Sequence, residues 1–146
     1  MTRSELLEFL RKHRVGVVAT TSQNGEPQSA LVGIAVSDKV EIVFDTLAKT
    51  RKCQNLRRQP NTSMVIGWNQ ETTVQYEGIA DAPVGAELER LKAVYFGVYP
   101  ECMSHQAWEG ITNFRLPPTW IRYSDFNSRL VSSSSWRVIS HLGLKP

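Results

Sequence analysis

Short runs of β-branched and aromatic residues, each ended by a turn signal, constrain this chain more than any other feature. The run from Val15 ends before Asn24 and Gly25, a strong hairpin signal that leads into a second run over residues 27–36. A polar turn at residues 37–39 precedes a third run from Val40, in which apolar and polar residues alternate. Further runs cover residues 61–68, 72–80, 119–126 and 135–141. The pattern predicts a mainly β fold with flanking helices, a closed or partly closed antiparallel barrel of about six or seven strands.

Two segments outside these runs have helical spacing. Thr2 and Glu5 are spaced as in a capping box, which predicts a short amphipathic helix to about His13. Residues 84–100 repeat apolar side chains every three to four positions, which predicts a helix ending near Gly97. Residues 101–113 are predicted to form an irregular loop. The next strand is expected to begin at about Thr119, because two consecutive prolines precede it.

Length and composition favour an ordinary globular protein. The 146 residues fit one domain over residues 1–146, with 41% hydrophobic and 21% charged residues. No apolar run is long enough to span a membrane and no secretory signal is visible, so we expect a cytoplasmic protein without a membrane partner. Cys53 and Cys102 lie far apart and have no ligand spacing, which predicts neither a disulfide framework nor a metal site.

Residues 44–60 concentrate positive charge directly after a predicted buried strand, with five of the 17 Lys and Arg residues. If Thr50 caps a helix, Arg51 and Lys52 lie in its first turn, where the helix dipole disfavours cations. A bound phosphate would relieve this, held by free backbone amides, the Thr50 hydroxyl and the two cations. The alternative is a solvated basic helix. Arg57 and Arg58 fall at the helix C-terminus, where the dipole favours them, so replacing Arg58 is expected to change little.

A nucleic-acid interface is not expected from the same stretch. Net charge is only +3, so nucleic-acid binding would need a local basic stripe. Stacking aromatic residues would have to be interleaved with the cations, but none occurs between Phe44 and Trp68.

The order of these motifs resembles a known family. The segments FDTLAKTRK, NLRRQPNTSMVIGW, VQYEGIA and PTWIRYSD together resemble the pyridoxamine 5'-phosphate oxidase-like, FMN-binding split-barrel proteins, over about residues 6–126. The resemblance implies a split barrel with FMN at a homodimer interface. It implies phosphate contacts from Thr50, Arg51 and Lys52, with Asp45 and Thr46 beside the flavin. It also implies that the second strand offers backbone groups to the flavin ring at Ser29, Ala30, Leu31 and Val32. A side chain on the fifth strand should reach the ring, either Thr73 or Gln75.

The chain departs from the vitamin-synthesising members near its C-terminus. Those enzymes carry a Trp-Gln-Gly tract and an Arg-Leu-His-Asp-Arg motif, of which this chain retains only Arg129 followed by Leu130. Asp45 also replaces the aromatic residue typical of its position. We therefore do not expect turnover of pyridoxamine phosphate. Trp120 and Trp136 could contact flavin across the dimer or pack in the core or interface.

Two functions follow from the resemblance. The first is a flavin-dependent oxidoreductase acting on a small molecule, with the chemistry supplied by the cofactor. No catalytic residue can be named, although His105 in the predicted loop is a candidate for the substrate side. The second is a non-enzymatic module that binds flavin, haem or a deazaflavin.

Overall fold

The computed structural model describes residues 1–127, 132–138 and 144–145. The first helix, α1, spans Arg3–Lys12 and begins with the predicted capping box, in which Thr2 and Glu5 bond each other's backbone amides. Leu6 and Leu10 on its inner face are fully buried. This end of the chain is therefore fixed by local hydrogen bonds and by the core together.

The remaining helices and strands follow in chain order. The strands are β1 (Val15–Thr21), β2 (Pro27–Gly33), β3 (Ala35–Val36), β4 (Ile42–Leu47), β5 (Asn61–Ile66), β6 (Thr72–Ile79), β7 (Ile111–Leu116), β8 (Pro118–Asp125), β9 (Ser132–Val138) and β10 (Leu144–Lys145). The helices are α2 (Arg51–Arg58) and α3 (Gly85–Val98), with 3₁₀ turns at Asn69–Glu71 and Pro100–Ala107.

The strands form two antiparallel sheets. The larger has the order β10-β9-β8-β6-β5-β1-β2, and the smaller has the order β3-β4-β7. The predicted second strand is divided at Ile34, so that β2 pairs with β1 while β3 pairs with β4 in the other sheet. Side chains from both sheets fill one core that includes Phe44, Tyr76 and Leu116. The predicted class, a mainly β split antiparallel barrel with flanking helices, is confirmed.

Local differences from the sequence-based prediction have physical reasons. Within the described residues there are ten strands rather than six or seven, partly because of the division at Ile34. The third predicted strand begins at Ile42 instead of Val40, because Val40 has a φ of 65° and closes the preceding turn by donating its amide to Ser37. The prediction of an irregular loop over residues 101–113 was wrong in part. Most of it is the 3₁₀ turn Pro100–Ala107, and β7 then begins at Ile111.

The prolines mark the end of β7 and the start of β8, close to the predicted start at Thr119. Cys53 and Cys102 are both free thiols. Of the helices described, none has the length and apolar character needed to cross a membrane.

Candidate functional site

The first turn of α2 concentrates positive charge at a helix N-terminus, as predicted. Thr50 caps the helix, its hydroxyl oxygen accepting the Cys53 amide at 3.3 Å. Arg51 and Lys52 follow, and the first turn contains no acidic residue. Neither cation forms an ion pair with any residue that the structure describes. Two positive charges therefore lie next to the positive end of the helix dipole.

Backbone donors are available at the same place. The Cys53 amide bonds the Thr50 hydroxyl, and the Gln54 amide bonds the Thr50 carbonyl at 3.2 Å. The amides of Arg51 and Lys52 have no hydrogen-bond acceptor in the described part of the chain. Unbonded amides at a helix start are suited to an anion.

A cavity of about 210 Å³ opens at this helix end. Its lining joins α2 to the edge of the larger sheet, and consists of Thr20, Gln28, Ser29, Ala30, Thr50, Arg51 and Lys52. No carboxylate occurs among these lining residues. The structure thus brings five of the predicted cofactor contacts together around one electropositive cavity.

Strand β2 is the outermost strand of the larger sheet on this side. It pairs with β1, and no described strand pairs with its other edge. Leu31 is 62% exposed, whereas the neighbouring Val32 is buried with its side chain in the core. Val32 can therefore contribute only backbone groups to a ligand, in agreement with the kind of contact predicted for this strand.

The Thr50 hydroxyl is already used within the chain. It donates to the Leu47 carbonyl at 2.8 Å, and its oxygen lies 2.9 Å from the Thr46 hydroxyl. Because the Thr50 hydrogen points to Leu47, Thr46 must be the donor in the second bond. In this arrangement Thr50 shapes the turn and presents its neighbours' amides. Donation from its hydroxyl to a phosphate would require the bond to Leu47 to break.

Asp45 and Thr46 do not converge on one site. Successive side chains of a strand point to opposite faces, and Asp45 accepts a hydrogen bond from the Tyr95 hydroxyl of α3 at 3.1 Å. Burial, together with the Asp45 carboxylate, raises the pKa of Tyr95. Asp45 is therefore held against α3, while Thr46 lies beside the start of α2.

Thr73 and Gln75 lie on β6, three strands from β2. The pairing register places Gln75 beside Val65, Val65 beside Val17, and Val17 beside Leu31. Three strand spacings separate Gln75 from Leu31, or roughly 14 Å. Thr73 and Gln75 share the outer sheet face with Leu31, and the Thr73 hydroxyl is buried without a partner among the described residues. A single chain does not bring them to the cavity.

The other predicted positions lie elsewhere. His105 is in the 3₁₀ turn and stacks on Trp108 with ring centroids 4.1 Å apart. Trp136 is 5% exposed and packs in the main core, the structural alternative considered for it. Trp120 is half-buried on β8. Arg129 and Leu130 lie outside the described residues.

Reasoning from the sequence did not identify Thr20, Gln28 and Asn55 as residues of this site. Thr20 and Gln28 line the cavity, and the Asn55 side-chain amide bonds both of them. No local pattern could have indicated this, because Asn55 is 35 residues from Thr20 and 27 from Gln28 along the chain.

Comparison with known proteins addresses the family and the fold. Residues 2–124 match the family model described as pyridoxamine 5'-phosphate oxidase. The chain is 30% identical over 112 residues to pyridoxine/pyridoxamine 5'-phosphate oxidase of Citrobacter koseri. That alignment covers 75% of this chain but only 49% of the relative, so the chain spans about half the length of the enzyme it resembles.

Two solved structures show the same fold. A haem-binding protein from Mycobacterium smegmatis superposes with a TM-score of 0.78 at 17% identity, covering 92% of this chain and 58% of that one. A pyridoxamine 5'-phosphate oxidase-related, FMN-binding protein from Nostoc punctiforme superposes with a TM-score of 0.75 at 11% identity, covering 98% and 94%. The family match, the curated relative and the shared fold lead to one conclusion: this chain belongs to the pyridoxamine 5'-phosphate oxidase family.

Proposed function

We propose that the protein binds FMN at the interface of a homodimer and serves as a flavin-dependent oxidoreductase for a small molecule. One observation supports this most strongly: the cavity at the start of α2 combines two cations and two amides that have no partner among the described residues, and no lining residue is acidic. The FMN phosphate would lie there, on Arg51 and Lys52. The flavin would supply hydride or electron transfer, while the chain would anchor the phosphate and orient the ring along β2.

The size of the cavity supports a site shared by two chains. Pockets that enclose whole organic ligands measure about 300–1,000 Å³, so 210 Å³ suits a phosphate end and leaves the ring outside. The outer face of the larger sheet presents exposed apolar residues, Val15, Leu31 and Val65, at 38%, 62% and 39% exposure. A second copy packed on this face would bury them. It would also bring Thr73 or Gln75 of one chain toward the flavin of the other.

The alternative is a non-enzymatic module that binds flavin, haem or a deazaflavin. The similarity to the Mycobacterium smegmatis haem-binding protein supports haem as the alternative ligand. The two described histidines do not line the cavity: His13 bonds the Phe9 carbonyl at 2.8 Å, and His105 stacks on Trp108. An axial histidine from these positions would therefore bind haem at a different place from the proposed phosphate.

The absorption spectrum of the purified protein, followed by release and identification of the bound group, separates these functions. Flavin bands and released FMN support the first proposal. A Soret band, or no affinity for added FMN, contradicts it. Reduction of the bound flavin by a nicotinamide donor then tests for an oxidoreductase, because colour alone demonstrates only binding.

The homodimer has its own test. Leu31→Lys places a charge on the outer face and should shift the protein toward monomer in analytical ultracentrifugation. Val84→Lys is the matched control, because Val84 is 81% exposed and precedes α3, away from that face. Equal sedimentation of the two variants and the parent would argue against this interface.

A cytoplasmic location, a single domain and the absence of a nucleic-acid partner stay predictions from the sequence.

A further inference from the structure

A buried side-chain amide connects the C-terminal end of α2 to the cavity at its start. Asn55 is 4% exposed, and its Nδ2 donates to Thr20 Oγ1 at 3.0 Å and to Gln28 Oε1 at 2.9 Å. Its Oδ1 accepts from Arg58 Nη2 at 2.9 Å. Thr20 and Gln28 are opposite each other on β1 and β2, and both line the cavity.

The direction of these bonds is fixed at one end. A guanidinium can only donate, so the atom of Asn55 facing Arg58 must be the oxygen, and the Asn55 nitrogen must face Thr20 and Gln28. Gln28 then accepts through its oxygen, which leaves its NH₂ group for other partners. Thr20 also accepts, which leaves its hydroxyl hydrogen free to donate, although the side chain is only 4% exposed.

The result is a cavity rich in hydrogen-bond donors. Gln28 and Thr20 can each donate or accept in general, but their bonds with Asn55 occupy a lone pair on each oxygen and leave their N–H and O–H groups for the cavity. They join Arg51, Lys52 and the unbonded amides of α2, which can only donate. An oxyanion whose oxygens all accept, such as a phosphate monoester dianion, matches this lining.

We propose that Gln28 and Thr20 bind the phosphate directly, and that Arg58 is a positioning residue that fixes their donor orientation through Asn55. This proposal rests on the proposed function, since it adds residues to the same phosphate site. It changes the sequence-based expectation for Arg58, whose replacement should weaken phosphate binding even though Arg58 itself does not line the cavity.

The test compares the affinities of variants for FMN, riboflavin and inorganic phosphate. Gln28→Leu should weaken FMN binding about tenfold, because one hydrogen bond to a charged group is lost. Arg58→Leu should weaken it about threefold to tenfold, and Arg58→Lys should restore part of the loss. Riboflavin, which lacks the phosphate, should bind all variants equally.

Arg57→Leu is the matched control. It removes the same charge from the same helix end, but Arg57 donates to Thr112 Oγ1, outside the cavity. Its FMN affinity should stay within about twofold of the parent. If Arg57→Leu and Arg58→Leu weaken FMN binding equally, the effect comes from the loss of a distant positive charge, and the proposal is overturned.

A double-mutant cycle distinguishes positioning from a general structural effect. In a Gln28→Leu, Thr20→Val background, Arg58→Leu should have no further effect on FMN affinity, because the donors it orients are absent. If Arg58→Leu weakens FMN binding by the same factor in that background as in the parent, the proposal is contradicted. Circular dichroism and urea unfolding identify variants that fail to fold, and for those the milder Arg58→Lys supplies the comparison.

Inorganic phosphate keeps this test separate from the proposed function. If the parent binds phosphate but not FMN, and both Gln28→Leu and Arg58→Leu weaken phosphate binding, then the FMN function fails while the positioning proposal stands. If the parent binds FMN and neither Gln28→Leu nor Arg58→Leu changes that affinity, the positioning proposal fails alone. A parent that binds neither probe overturns both.

Discussion

The molecule holds two groups of cations in opposite ways. Arg90 and Arg115 belong to an ion-pair cluster with Glu41, Glu87 and Asp81, in which Arg90 lies 2.8 Å from Glu41 and 2.7 Å from Glu87. Arg115 lies 2.8 Å from Glu87 and also bonds Asp81. The cations at the start of α2, in contrast, have no carboxylate partner among the described residues, and a cavity opens beside them.

The difference shows why the number of charges in a segment is a poor guide to function. In the ion-pair cluster the opposite charges come from within the chain, so its arginines are explained by the fold. At α2 the helix dipole adds to the repulsion and no internal anion offsets it. A bound external anion would offset the repulsion between the cations and the helix dipole. The following changes test this contrast between the two groups of cations.

Glu41→Ala should have the largest effect, on stability. Glu41 is buried, and its removal takes a carboxylate from both arginines of the ion-pair cluster. Breaking such a pair costs roughly 3–5 kcal/mol, and we expect the lower end, about 3, because Glu87 and Asp81 remain. Urea unfolding measures the loss. Glu89→Ala, which removes an exposed partner of Lys92, is the control and should change stability by less than about 0.5 kcal/mol.

Arg51→Ala should affect binding instead. Loss of one charge-assisted contact should weaken FMN binding tenfold to a hundredfold, roughly 1.4–2.8 kcal/mol, with riboflavin affinity unchanged. The free energy of unfolding without ligand should stay constant or rise by up to about 1 kcal/mol, since a cation leaves the wrong end of the dipole. Isothermal titration and urea unfolding measure the two quantities. Unchanged FMN affinity would place the phosphate elsewhere.

Salt should have a smaller effect, and it should act on the cations at the start of α2 but not on the ion-pair cluster. Between about 0.05 and 0.5 M NaCl, FMN affinity should fall roughly threefold to tenfold, because the cavity is open to solvent and its charges are screened. Riboflavin affinity should not follow this trend. The stability difference between the parent and Glu41→Ala should also persist, because Glu41 is shielded from solvent. An FMN affinity that is independent of salt contradicts an exposed phosphate contact.

Glu87→Gln should give the smallest effect, visible in its pH dependence. The hydrogen bond from Arg90 lowers the pKa of Glu87 from 4.5 to about 2 in the folded protein. A lowered folded pKa adds stability that is complete above the unfolded value of 4.5 and is lost as the pH falls toward 2. The variant should therefore be less stable than the parent at about pH 7 and equal to it near pH 2. A stability difference that is the same at both pH values would refute this, and Glu8→Gln on the exposed side of α1 is the control.

The sequence predicted what depends on neighbouring residues. The caps at Thr2 and Thr50 and the start of α2 were predictable because capping uses residues three positions apart. Strand β7 was missed because its polar Asn113 is buried, which interrupts the expected alternation. The roles of Gln28 and Asn55 were not accessible, since their contact joins different elements and depends on how α2 packs against the sheet.

The division of one strand run at Ile34 has a dynamic consequence. The cavity has β2 of the larger sheet as one wall and α2, which follows β4 of the smaller sheet, as the other. A ligand bound there contacts the larger sheet and the helix that connects the two sheets, and local opening of either wall must release it. Amide hydrogen exchange in β2 and α2 should therefore slow together when FMN or phosphate binds, while exchange in β8 stays the same. Binding would thus join the edge of the larger sheet and helix α2 into one cooperative unit.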